Sequence, residues 1–163
     1  LTLHPTVRRV ALLVEESGAA DGADGADGAA EAGHRRIAAE LERLARLYGD
    51  ERVLSIRVST SRSLTASLGR ARLERGQIVL AEALLGSRHL EEVIVHEVAH
   101  FVSWWRDRLA RPHGAEWKQL VRDAGNEPTV RMLPRDVRLP PRRRRRRRRR
   151  PAAALHAFLR SVL

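Results

Sequence analysis

The 163-residue chain is long enough for one domain with appendages. It has no cysteine, which excludes disulfides, Cys-ligated zinc, iron–sulfur clusters and a thiol nucleophile; this fits a reducing compartment, and a cytoplasmic location is expected. The formal net charge is +11, but nine of those charges are the run Arg142–Arg150, and without them the rest of the chain carries only +2.

Residues 1–33 read as an N-terminal segment followed by a linker. The apolar run Val10-Ala11-Leu12-Leu13-Val14 is too short for the core of a signal peptide and lacks a small-residue cleavage site, so this stretch is not read as one. Ala20-Asp21-Gly22 then recurs as Ala23-Asp24-Gly25 and Ala26-Asp27-Gly28. Such small, polar, Gly-rich repeats bury too little surface to order themselves. They also lack the nonapeptide pattern of a calcium-binding β-helix.

From residue 34 the pattern changes. Ile37, Leu41, Leu44 and Tyr48 mark one stripe of an amphipathic helix over 34–48, with Gly49 as its C-cap. Leu54, Ile56 and Val58 then alternate with Ser55 and Arg57, which predicts a half-buried strand. Two further strands are expected at Leu68–Leu73 and Gln77–Ala81, joined by a turn at Arg75-Gly76. No segment approaches the length of a transmembrane helix, so no membrane span is expected.

Between Ser87 and Ala110 there is neither glycine nor proline. Ser87 is placed as an N-cap, with Glu91 and Glu92 in the first turn, where the helix dipole favours acids. Val93, Ile94, Val95, Val98, Ala99, Phe101, Val102, Trp104 and Trp105 make this helix apolar nearly all round, which predicts burial. Inside it lies His96-Glu97-Val98-Ala99-His100, an H-E-x-x-H motif. Histidines at i and i+4 lie one turn apart on one face and can reach a single metal ion, and the adjacent Glu97 is placed to take a proton from water. With 7 histidines in the chain, chance alone gives this motif roughly 0.02 times per chain of this composition. Buried polar groups also need partners, and a metal ion supplies them.

Past Pro112, Trp117, Leu120, Val121 and Ala124 follow helical spacing, with Gly125 as cap. His113, at the start of this second helix, offers a third ligand; Glu116 is the alternative. Three protein ligands and one open position describe a catalytic zinc site. His4, His34, His89 and His156 have no ligand spacing. Arg106, Arg108 and Arg111 are candidates for stabilising an oxyanion, and the sequence does not choose among them. Residues 126–141 read as irregular, and 152–162 as a short helix. The arginine run between them would bind the phosphate backbone of DNA or RNA without sequence readout, or it is a solvated product of biased composition; both readings stand.

Helix, short antiparallel sheet, H-E-x-x-H helix and then His-Gly-x-x-Trp opening the next helix resemble the SprT-like zinc metalloprotease domain. The matching residues are Gly76-Gln77-Ile78-Val79-Leu80, Val93 to His100 and His113-Gly114-Ala115-Glu116-Trp117, within residues 34–125. The resemblance implies an α+β, zincin-like fold, zinc held by His96, His100 and His113, Glu97 as catalytic base and a protein or peptide substrate. Residues 126–163 then form a basic Pro/Arg-rich tail. The family includes Spartan-type proteases, which degrade proteins crosslinked to DNA. Many relatives carry a Cys-based zinc module that this chain lacks, and YgjP-like metallopeptidases share a similar strand–helix–His layout. The rival expectation is a nucleic-acid-binding or adaptor protein with a structural zinc site. Glu97 and the open ligand position argue against it, because a structural site would use a fourth protein ligand.

Overall fold

The computed structural model describes residues 24–131, 134 and 136–141. The Val10–Val14 stretch, the Arg142–Arg150 run and the helix expected at 152–162 lie outside the described residues.

Helix α1, Asp24–Tyr48, forms along the predicted stripe: Ile37, Leu41 and Leu44 are all at most 1% exposed. It begins within the Ala-Asp-Gly repeat, in residues read from composition as linker. Alanine is the best helix former, and extending a helix that is already nucleated costs far less than starting one. Tertiary contact helps as well, since Ala30 packs against the core and the backbone of Gly33 lies against Leu85. The helix stops at Gly49, whose φ of +63° is the left-handed conformation of a helix C-cap.

The strand predicted from Leu54 starts later. Asp50 accepts a hydrogen bond from the Arg52 amide and caps a short 3-10 helix, Glu51–Ser55, which buries Val53 and leaves Leu54 at the surface. Strand β1 is Arg57–Ser61, β2 is Gly69–Arg72 and β3 is Gln77–Ala81. The order is β1-β3-β2, with β2 antiparallel to β3 and β1 parallel to it. The sheet is therefore mixed, not the purely antiparallel one expected. β3 is the most apolar strand, with Ile78 to Ala81 all buried, and the centre is the position covered on both faces. Ile78 and Leu80 join the main core, while Val79 and Ala81 join Leu64 on the opposite face.

Helix α2, Leu90–Arg106, crosses the main-core face of the sheet. Its N-cap position falls on His89, two residues after the predicted Ser87; the Ser87 hydroxyl instead accepts the His89 amide and shapes the turn before the helix. Val93, Ile94, Val95, Val98, Ala99, Phe101 and Val102 are buried, whereas Trp104 and Trp105 are only half-buried. Helix α3, Ala115–Asp123, packs on α2. The three helices are tied together by polar bonds as well. Arg36 of α1 grips Glu91 of α2 through two 2.6 Å bonds, and the Tyr48 hydroxyl donates to the Leu120 carbonyl of α3 at 2.9 Å. No helix among the described residues is long and apolar enough to cross a membrane.

Two glycines of α1 should respond oppositely to alanine. A Cβ on Gly28 meets nothing within 4 Å, so Gly28→Ala should stabilise the fold by up to about 1 kcal/mol. A Cβ on Gly33 would sit 2.8 Å from the Leu85 carbonyl oxygen, so Gly33→Ala should destabilise it by about 1–3 kcal/mol despite the gain in propensity. Urea unfolding of both variants checks the sign; equal stabilisation would refute the close packing of α1 on Leu85.

Candidate metal centre and its cleft

α2 carries His96 and His100 one turn apart, with ring centroids separated by 5.2 Å. His113 reaches them from the connection before α3. The Gly114 amide donates to the Arg111 carbonyl at 2.9 Å, closing a turn with Pro112 and His113 at its centre. His113 has φ = +58°. Proline followed by a residue of positive φ is the pattern of a type II turn, whose third position normally belongs to glycine. A histidine there costs of order 1–2 kcal/mol and is held only because its surroundings over-determine it. Gly114 follows for a separate reason: a Cβ there would lie 2.9 Å from the Arg111 oxygen.

One ligand-capable atom from each of His96, His100 and His113 lies within 4.8 Å of the others. The Nε2 atoms of His96 and His113 are 3.3 Å apart. Two nitrogens on a tetrahedral zinc, each bound at about 2.0–2.1 Å, stand roughly 3.3–3.4 Å from one another, so this spacing fits the ion. The protonation state fits too. Burial pushes His96 down to about 4, with the charge of His113 adding to the effect. Burial likewise takes His100 down to about 3, helped by His96 and His113, and it lowers His113 as well. Neutral imidazole is the form that binds metal. Glu116, the alternative third ligand, is instead paired with Arg106 at 3.3 Å.

Trp117 explains the tryptophan of His-Gly-x-x-Trp. Its ring, 1% exposed, lies 4.6–5.5 Å from all three imidazoles, and its indole N–H donates to the His96 carbonyl at 3.2 Å. It thereby packs α3 onto the ligand-bearing turn of α2.

Glu97 is 7% exposed, and burial raises its carboxyl to about 7. A hydrogen bond from the Ala71 backbone and the charge of Arg70 oppose that rise. The carboxylate has room because β2 places Gly69 beside it: a Cβ there would be 2.6 Å from Glu97 Oε1. The Ala81 amide donates to the Leu68 carbonyl, so the alternating peptide groups of Gly69 and Ala71 point to the free edge of β2.

A cavity of about 380 Å³ opens onto Gly69, Glu97 and His96. It is lined by Ser67, Leu68 and Gly69 from one side, His96 and Glu97 at the helix, and Val130 and Arg131 from the segment after α3. None of the expected oxyanion candidates lines it. Arg106 pairs with Glu116, Arg108 stacks over Trp104 at 3.5 Å, and Arg111 serves the turn through its carbonyl. Gly69, Ala71, Thr129, Val130 and Arg131 were not singled out in the sequence. Only Gly69 left a signal there, as a glycine inside a strand, which often marks a close approach.

Residues 37–139 match the model of the SprT-like family. Protein SprT of Klebsiella pneumoniae (strain 342) is 35% identical over 68 residues, covering 40% of this chain and 41% of that protein. Protein SprT of Escherichia coli (strain K12) is 37% identical over 68 residues, with the same coverage. The matched region thus spans about two fifths of the length of these curated relatives. No solved structure matches the chain.

His113→Ala should sharply lower zinc affinity in a chelator competition, whereas Glu116→Ala should leave it near that of the parent. The reverse pattern would show that the third ligand is misassigned.

Proposed function

Since the chain belongs to the SprT-like family, we propose that it is a zinc-dependent peptidase, with Glu97 as its base and His96, His100 and His113 as its metal ligands. The observation that carries this reading is the opening of one cavity onto a buried carboxylate, a ligand histidine and a free strand edge. Zinc bound by the three histidines would lower the pKa of water toward about 7 and polarise the scissile carbonyl. Glu97 takes a proton from the attacking water and returns it to the leaving amine. The Gly69 peptide groups and the Ala71 carbonyl, the Ala71 amide being turned to Glu97, receive an extended substrate by strand addition. Gly69 leaves the Glu97 carboxylate unobstructed beside it.

A structural zinc site in an adaptor protein fits less well. It would use a fourth protein ligand, and among the described residues the cluster has three. It would also have no use for a carboxyl buried next to the ligands.

The substrate class we propose is protein bound or crosslinked to DNA. This rests on the family resemblance and on Arg142–Arg150, which would serve as a phosphate-binding tether. The remainder of the chain carries +2, so it is a weak source of nucleic-acid affinity.

Glu97→Gln preserves shape but cannot accept the proton. It should retain zinc and fold while losing about 10²–10⁴-fold in cleavage of an unfolded protein such as casein. Equal rates in zinc-loaded Glu97→Gln and parent would rule this base out. Deleting 142–150 should leave casein cleavage unchanged and weaken binding to single-stranded oligonucleotides. The tail should account for a slope of log K against log salt of roughly −5 to −6, at about −0.7 per phosphate contact. A shallow slope, or one that survives the deletion, would remove DNA from the proposed function.

A further inference from the structure

The segment that follows α3 lacks regular structure, yet it touches the site at several points. Gly125, Asn126, Glu127 and Thr129 line a second cavity of about 290 Å³, which also meets His96 and Glu92. The Thr129 amide is used within the segment, donating to the Glu127 carbonyl at 2.7 Å. Its backbone comes up to the ring of His96, which lines the same cavity, and opposes the lowering of that ring's pKa by burial. The Nε2 of that ring faces His113, which leaves the other nitrogen for this contact. Such an outer partner fixes the tautomer and orientation of a ligand histidine. The next two residues, Val130 and Arg131, line the substrate cavity.

A few residues on, the chain is fastened again. The Asp136 carboxylate lies 3.4 Å from Arg88 Nε and 3.3 Å from His89 Nε2. The other His89 nitrogen is 3.0 Å from Glu92, the residue that meets the second cavity. Beyond this clasp, Val137 and Leu139 pack against the core. Only four residues separate Arg131 from Asp136, so chain length keeps the clasp within roughly 18 Å of the wall. An ion pair this exposed contributes little to global stability. Its effect is on where the chain runs, and the chain runs past His96 and the cleft.

We propose that residues 126–131 form a wall that orients His96 and bounds the substrate cleft, and that Asp136, clasped by Arg88 and His89, is the positioning residue that holds this wall in place. The proposal rests on the peptidase reading for its substrate arm, while its metal arm stands apart from cleavage.

The experiment compares the full chain with Asp136→Ala and with Asp136→Glu, which keeps the carboxylate. Zinc affinity is read by chelator competition, KM and kcat by casein cleavage, and stability by thermal unfolding. Asp136→Ala should weaken zinc binding about 10-fold, as loss of support behind a ligand does. It should raise KM severalfold and leave the thermal midpoint almost unmoved, and Asp136→Glu should recover zinc affinity and KM. Parent-like zinc affinity and KM in Asp136→Ala would overturn the proposal. So would a drop in the thermal midpoint with no change in zinc affinity, which would mark Asp136 as merely structural. If the parent binds zinc but leaves casein intact, the peptidase reading fails and the zinc arm alone decides the clasp. If the parent binds no zinc, both fail.

Discussion

Placing His96, Glu97 and His100 on a helix that is otherwise apolar commits the fold to finding partners for them. A buried polar group without one costs several kcal/mol, and a buried charge costs more. Each neighbouring element meets part of that demand. α3 brings Trp117 to the His96 carbonyl, the turn before α3 brings His113 to His96, and β2 brings the Ala71 backbone to Glu97. No buried side-chain polar atom is left without a hydrogen-bond partner among the described residues. The three imidazoles, which burial favours in the neutral form, each bring one ligand-capable nitrogen within 4.8 Å of the others.

Close approach is the second constraint, and it falls on backbone rather than side chains. Glu97 fits against β2 because residue 69 has no Cβ, and the Arg111–Gly114 turn closes because residue 114 has none. His113 runs the other way, since it occupies a left-handed position where glycine would be relaxed. Glycine there would remove the third imidazole of the cluster, so the site keeps the strain. Local backbone energy yields here to the chemistry of the side chain.

Around this centre the scaffold is conventional. α1 and α3 flank α2 and are cross-tied by Arg36–Glu91 and Tyr48–Leu120. That framework fixes α2, while the cleft's outer wall is irregular chain whose described part carries few backbone hydrogen bonds. Rigid ligands on a helix and an adaptable wall on a loop are a common division in binding sites.

Much of this was legible in the sequence because it depends on local periodicity and spacing. The stripe Ile37, Leu41 and Leu44, the apolar run through α2 and the i, i+4 histidines follow from helix geometry alone. The sequence also offered His113 and Glu116 together as the third ligand; the path of one turn brings His113 to the cluster and leaves Glu116 with Arg106. The misreadings arose where competing effects were close in energy. A side-chain cap at Asp50 overrode the alternation at Leu54, and α1 extends back into the Ala-Asp-Gly repeat. β3 took the centre of the sheet and made it mixed, because only burial on both faces accommodates Ile78 to Ala81. The sequence by itself determined the ligand-bearing helix, its two histidines and its carboxylate, since these are set within a single turn. Tertiary structure decided the room beside Glu97, the backbone partners at Ala71 and Thr129 and the wall at Val130 and Arg131, because those are encounters between segments far apart in the chain, which no local pattern encodes.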